Sequence, residues 1–332
     1  MQTLKTLVLF AVVILACSGA SGQTDRALVD RFDRAEAAGQ YERALEAALT
    51  IVERHPESSG WAFRAGRMHA RLGQADEAVA QLGRAADLGY TGIASFEQHA
   101  DLETLRERDD FLAIVDRVRA NAAERIRAFR EEALAHEPAT HVPGSIVAGE
   151  KAPLVIALHG TGGNGKQMLG ALQKVCDKLG MICVAPDALR PAGDGFSWTY
   201  RDEAEWFVTH LIGRAVAEHG ADPERVYLVG FSQGANIALV MAQTHADVLG
   251  AVVPVCGHYE PNVAGTDGAP APTYLLTGSR DNWKKTYTAA KSDFEDAGAP
   301  VQLRVVSGMG HQMASRRELE RALEWCLSQE KP

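Results

Sequence analysis

Apolar positions along the chain follow two different periods, and the change comes near residue 140. From Ala27 to about Leu88 they recur at three- and four-residue spacing without a long β-branched run, which predicts helices. Two segments align at an offset of 34: GQYERALEAAL from Gly39 and GQADEAVAQLG from Gly73. Each opens on Gly-Gln at a helix junction and carries an alanine, Ala44 or Ala78, five residues after its glycine. The likeness fades outward, since Gly83 answers Leu49. The segment SFEQHADLETLRERDDFLAIVDRV extends the series with a short helix and a capping one, using Leu102, Leu105, Phe111, Leu112 and Ile114 as its apolar set. Another helix is expected over about Ala122–Leu134. Pro138 and Pro143 in HEPATHVPG then rule out further continuous helix.

Beyond that break the pattern alternates. APLVIALHG, MICVAPD, VYLVGFSQG, AVVPVCG, TYLLTGSRD and VQLRVVSG are short apolar runs that end in turn residues. Helical stretches separate most of them, near Gly165–Lys178, in AEWFVTHLIGRAVAEHG and ANIALVMAQTH, and around Thr286–Ala297, and a final helix is expected over Glu318–Gln329. Short buried strands between helices predict a mostly parallel sheet covered on both faces. The expected organisation is an all-α repeat domain over 24–132, a linker over 133–150 and an α/β domain over 151–330.

The first residues stand apart from both patterns. Lys5 precedes an unbroken apolar run, Leu7–Ala16, too short to span a bilayer comfortably but suited to an export signal over 1–22. Cleavage after Ala20 would release a soluble protein; cleavage before Cys17 would leave a cysteine for lipid attachment. The expectation is an exported protein, periplasmic or extracellular, with membrane contact only through a retained signal or lipid on Cys17.

Composition narrows the function classes. The 332 residues are 46% hydrophobic and 23% charged, with a formal net charge of −9. Those proportions describe a globular chain, and the sign argues against a partner that is nucleic acid. Cys176, Cys183, Cys256 and Cys326 form no CxxC pair and no zinc spacing, and no metal site is expected. The apolar settings of Cys183 and Cys256 suit buried thiols. His136 and His141 read as linker histidines.

Candidate chemistry lies at the strand ends. In GFSQG, Gly230 and Gly234 permit a tight strand-to-helix turn that presents the Ser232 hydroxyl. A lone serine is a weak nucleophile and needs a base. His311 in SGMGHQM would take the serine proton and return it to the leaving group, while Asp281 in LTGSRDNW would orient His311. Asp187 precedes the serine and breaks the serine–acid–histidine order; Asp293 and Asp296 fall within a predicted helix. His159 is expected to support its loop. LHGTGG supplies an oxyanion loop, with the amides of Gln233 and Thr161 as donors and Gly162 as the alternative to Thr161. The glycine-rich HGTGGNG lacks a phosphate-loop frame, and no dinucleotide fingerprint occurs, so no cofactor is expected. Trp198 and Tyr200 are candidates for lining the substrate site, and Asp202 and Glu203 would repel anionic substrates if they face it.

Two resemblances follow from these residues. The 34-residue offset, Ala44 and Ala78, Gly66 and the turn residue Pro56 resemble tetratricopeptide repeats, with Tyr90 and Phe32 as departures. The LHGTGG loop, the GFSQG elbow, the TGSRD acid loop and Gly310-His311 resemble the phospholipase/carboxylesterase branch of the α/β-hydrolases. They also resemble the polyhydroxybutyrate-depolymerase-like esterases. That resemblance implies hydrolysis of a small or extended carboxylic ester through an acyl-enzyme on Ser232, without metal or cofactor. It also implies antiparallel opening strands, for which SIVAG could furnish only one. A serine peptidase is the nearest alternative. A binding protein that uses its repeats for a protein partner, with an inactive hydrolase domain, is another.

Overall fold

The computed structural model describes residues 19–147, 149–261 and 268–329. Cys17 and the apolar run before it therefore lie outside the described residues. The chain divides into two compact units, Met1–Arg127 and Ala128–Pro332.

The first unit is helical: α1 (Gly19–Ala37), α2 (Tyr41–Arg54), α3 (Ser59–Arg71), α4 (Ala75–Asp87), α5 (Ile93–Gln98), a 3-10 turn at Ala100–Leu105 and the first part of α6 (Asp109–Ala135). Helices α2 and α4 start 34 residues apart, as the sequence offset requires. Ala44, Ala47 and Ala48 of α2 and Ala78, Ala85 and Ala86 of α4 are buried. Small residues there let the backbones approach closely. At Gly66 of α3 a Cβ would lie 2.7 Å from Leu82 Cγ, so α3 and α4 pack at a distance that only glycine permits. The two helices expected between Phe111 and Leu134 are one 27-residue helix, because no glycine or proline interrupts residues 109–135.

The second unit holds a seven-stranded sheet in the order β1-β3-β2-β6-β7-β8-β9. Its strands are β1 (Ala139–His141), β2 (Ala152–Leu158), β3 (Ile182–Ala185), β6 (Ala221–Phe231), β7 (Ala251–Val255), β8 (Thr273–Gly278) and β9 (Val301–Val306). All neighbours pair in parallel except β1, which runs antiparallel to β3. A separate antiparallel ribbon joins β4 (Arg190–Ala192) to β5 (Gly195–Ser197). Between the strands come α7 (Gly165–Leu179), α8 (Arg201–His219), α9 (Gln233–Thr244) and α10 (Lys284–Asp296), and α11 (Arg316–Leu327) follows β9.

The central strands read as unbroken apolar runs because both faces are covered. On β2, Leu154, Ile156 and Leu158 belong to the core layer that also holds Phe207 and Leu211 of α8 and Tyr287 and Phe294 of α10. Val155 and Ala157 join the opposite layer, with Leu172 and Val175 of α7 and Leu319 and Leu323 of α11. Cys176, Cys183, Cys256 and Cys326 are all buried free thiols.

The expected linker over 133–150 is not an uninterrupted linker. Phe129 and Ala133 of α6 already belong to the second unit's core, and β1 follows within the stretch. The described residues of SIVAG, 145–147 and 149, lie outside any strand, and ATH supplies the antiparallel opening strand. Three residues are too few to show an alternation; the edge of β3 makes them a strand by pairing with them.

Candidate active site

Three loops meet at the carboxyl ends of the parallel strands. Ser232 follows β6 and precedes α9, with φ 52° and ψ −114°. Such a conformation strains a residue with a side chain and points to an enforced turn. The turn is enforced by contact: at Gly230 a Cβ would lie 2.1 Å from Gly234 O. Ser232 N donates to Val255 O at 2.9 Å, which ties the elbow to β7.

His311 Nε2 lies 2.9 Å from Ser232 Oγ, and His311 Nδ1 lies 2.7 Å from Asp281 Oδ2. The Asp281 carboxylate is fully buried, while the His311 ring is partly open to solvent. Asp281 Oδ1 accepts from Trp283 N at 2.7 Å, so its second oxygen is also held. The three side chains expected from sequence are therefore hydrogen-bonded in a chain. Their loops are supported from below by Cys256, whose Sγ lies 3.8 Å from Gly310 O and 3.7 Å from Gln312 O, the carbonyls flanking His311. Burial, then the nearby Asp281 charge, pushes this thiol up to about 11, so it stays a neutral donor at ordinary pH.

The loop after β2 completes the site. Gln233 is the first residue of α9, so its amide has no partner within the helix. Thr161 lies opposite, with Thr161 Oγ1 donating to Gln233 Oε1 at 3.1 Å. Gly162 does not serve as the alternative donor, because its N–H is committed to Phe196 O at 2.9 Å. His159 braces the loop as expected: it is 2% exposed, its Nε2 accepts from Ala188 N, and its Nδ1 lies 2.7 Å from Gly160 O. Asn164 caps α7 by accepting from Gln167 N, and Asp187 accepts from Gly165 N. Asp187 thus holds a helix start, whereas Asp293 is exposed on α10 and accepts from Tyr259 OH.

A cavity of about 310 Å³ opens beside the loop, lined by Thr161, Gln167, Met168, Ala171, Phe231 and Met313 among others. A second, of about 200 Å³, has a polar wall that includes Thr199, Asn236, Gln243 and His258. Trp198 forms part of that second wall, but it is 5% exposed and its Nε1 donates to His159 O at 2.9 Å, so it also braces the loop. Tyr200 packs its ring against the Arg190 guanidinium. Glu203 does not face the site as a free charge: it is buried and accepts from Arg190 Nε at 2.9 Å. The methionines, Phe231 and the side-chain role of Gln233 escaped the sequence reading. A glutamine beside the nucleophile is the one signal in the sequence, and by itself it points only to a backbone amide.

Residues 139–267 match the family described as Esterase PHB depolymerase. The chain is 27% identical over 137 residues to feruloyl esterase B of Talaromyces stipitatus, covering 39% of this chain and 38% of that protein. It is 30% identical over 130 residues to poly(3-hydroxyalkanoate) depolymerase C of Paucimonas lemoignei, covering 35% of this chain and 30% of that one. The chain thus spans well under half the length of these relatives. The crystal structure of esterase PE8 superposes with a TM-score of 0.50 at 23% identity, over 57% of this chain and 99% of that one, a likeness of fold. The second unit has an α/β-hydrolase-like fold with a mostly parallel central sheet, and part of it, residues 139–267, is similar to that esterase family.

Proposed function

We propose that the protein is a serine carboxylesterase working through an acyl-enzyme on Ser232. The observation that carries this reading is the unbroken chain of hydrogen bonds from Asp281 through His311 to Ser232 Oγ. His311 Nε2 takes the hydroxyl proton as Oγ attacks the ester carbonyl carbon. The carbonyl oxygen becomes an oxyanion and is met by the Gln233 and Thr161 amides. Asp281 accepts from Nδ1–H and stabilises the imidazolium. Collapse of the intermediate breaks the bond to the alcohol oxygen, which receives the proton from Nε2. Water, deprotonated by the same imidazole, then releases the acid and restores the serine.

The apolar cavity beside Thr161 suits an acyl chain or ring, and the relatives' names extend the substrate class to feruloyl and hydroxyalkanoate esters. A fluorophosphonate probe should label Ser232, and the chain should turn over p-nitrophenyl esters faster than peptide amides. Ser232→Ala should lower kcat on the order of 10⁴-fold or more. A folded chain that resists the probe would sink the reading; faster cleavage of amides would favour the peptidase.

The helical unit is assigned as tetratricopeptide-like repeats that bind a protein partner alongside catalysis. The chain is further assigned to the periplasm or exterior, released after Ala20 or lipidated on Cys17. A pull-down with the full chain against one lacking α1–α4 tests the first assignment. Labelling with a fatty-acid analogue, compared between wild type and Cys17→Ala, tests the second.

A further inference from the structure

The Gln233 side chain is the most heavily bonded polar group beside Ser232. Its Oε1 accepts from Trp198 N at 2.9 Å, Ser197 Oγ at 3.0 Å and Thr161 Oγ1 at 3.1 Å. Its Nε2 donates to Trp198 O at 3.3 Å. The backbone of Trp198 leaves no doubt about which way the amide faces, since an N–H can only donate and a carbonyl only accept. The same ribbon holds the oxyanion loop from its other end: Gly162 N donates to Phe196 O and Phe196 N to Gly163 O, each at 2.9 Å. The loop, β5 and the start of α9 therefore form a closed ring of hydrogen bonds, and Gln233 is the member common to its two arms.

We infer that the Gln233 carboxamide is a positioning residue that sets the separation between the two oxyanion donors, its own amide and that of Thr161. This rests on the serine-esterase reading above. The physical reason is the geometry such a site demands: donors must meet the oxygen in its tetrahedral position, and an ångström of looseness forfeits much of the stabilisation. An amide on a glycine-rich loop drifts unless something ties it. Here the tie runs from the side chain of one donor residue to the side chain of the other.

The test uses the full chain with Gln233→Met, Thr161→Val, their combination, and Thr161→Ser, which keeps the hydroxyl. Turnover of a p-nitrophenyl ester, inhibition by a boronic acid that mimics the tetrahedral state, and melting temperature are measured together. Gln233→Met and Thr161→Val should each lower kcat about tenfold or more, with KM within about threefold, since the lost interaction acts in the transition state. Boronate affinity should fall by the same factor as kcat/KM, while Thr161→Ser stays near wild type. The double variant should be little worse than the poorer single, because the Thr161–Gln233 bond is already lost in either one. Unchanged kcat in the folded variants, fully multiplying losses, or a rise in KM with boronate affinity intact would each overturn the inference. If Gln233→Met does not fold, Thr161→Val and Thr161→Ser decide it alone. A wild-type chain that no fluorophosphonate labels would remove the esterase reading itself; a labelled wild type with indifferent variants removes only the positioning role.

Discussion

The imidazole of His159 is a neutral ring held between one donor and one acceptor. Nε2 accepts from Ala188 N, so the proton resides on Nδ1, which faces Gly160 O. Burial lowers its proton affinity below the ordinary imidazole value of 6.5, against a smaller opposing effect of that carbonyl. The unfolded chain therefore binds the proton first as pH falls. The ring's contribution is complete above pH 6.5 and is lost progressively as pH drops toward the lowered folded-state value. His136, half-buried and accepting from Asp187 N, shifts in the same direction. The urea midpoint should accordingly fall between about pH 7.5 and about pH 5.5. His159→Gln, which keeps an acceptor but does not titrate, should flatten part of that slope; an unaltered slope would exonerate His159. The serine–acid–histidine trio was legible at this scale, since each residue follows an apolar run and ends a strand. Cys256 and Gln233 were not, because the roles of their side chains depend on carbonyls and hydroxyls from distant loops.

Among the elements, α7 and the β4–β5 ribbon matter most, because the loop after β2, proposed to carry the oxyanion donor Thr161, lies between them. The start of α7 has its amides satisfied by Asn164 and Asp187. Asn164→Ala should cost about 1 kcal/mol in a denaturant titration and lower kcat several-fold as the loop's far anchor frays. Lowered stability with kcat intact would confine the cap's effect to the helix. The ribbon is held to α8 through Arg190 and Glu203, with the carboxylate side chain 3% exposed and the guanidinium over the rings of Phe129 and Tyr200. Arg190→Met removes the counter-charge of a buried carboxylate and should destabilise the fold by about 3 kcal/mol. Adding Glu203→Leu should recover part of that loss in the same titration; no recovery would mean the packing of Arg190 dominates. The ribbon was missed in sequence because RPAGDGFSWTY is glycine-rich and polar, without the alternation that marks a strand.

For the molecule as a whole, the helical and sheet-based units have separate cores. Phe63, Leu82, Phe96 and Phe111 pack together in the first, and two layers sandwich the sheet in the second. Gly66→Val forces a side chain into the α3–α4 contact and should cost the first unit about 2 kcal/mol. Fluorophosphonate labelling of Ser232 below the melting transition should proceed at the wild-type rate. Slower labelling would show that the helical packing reaches the site.

The sequence by itself determined the two periods, the six parallel strands, the approximate extents of the five helices of the second unit and the identity of the three hydrogen-bonded loop residues. Those features are written in local patterns, because burial on one stripe or on two faces dictates which positions are apolar. Tertiary structure alone decided the strand order, the continuity of α6, the edge strand at Ala139–His141 and the withdrawal of the Gly162 amide. Each of these depends on a partner far away in the chain: a strand edge, a core or a carbonyl that only folding brings within reach.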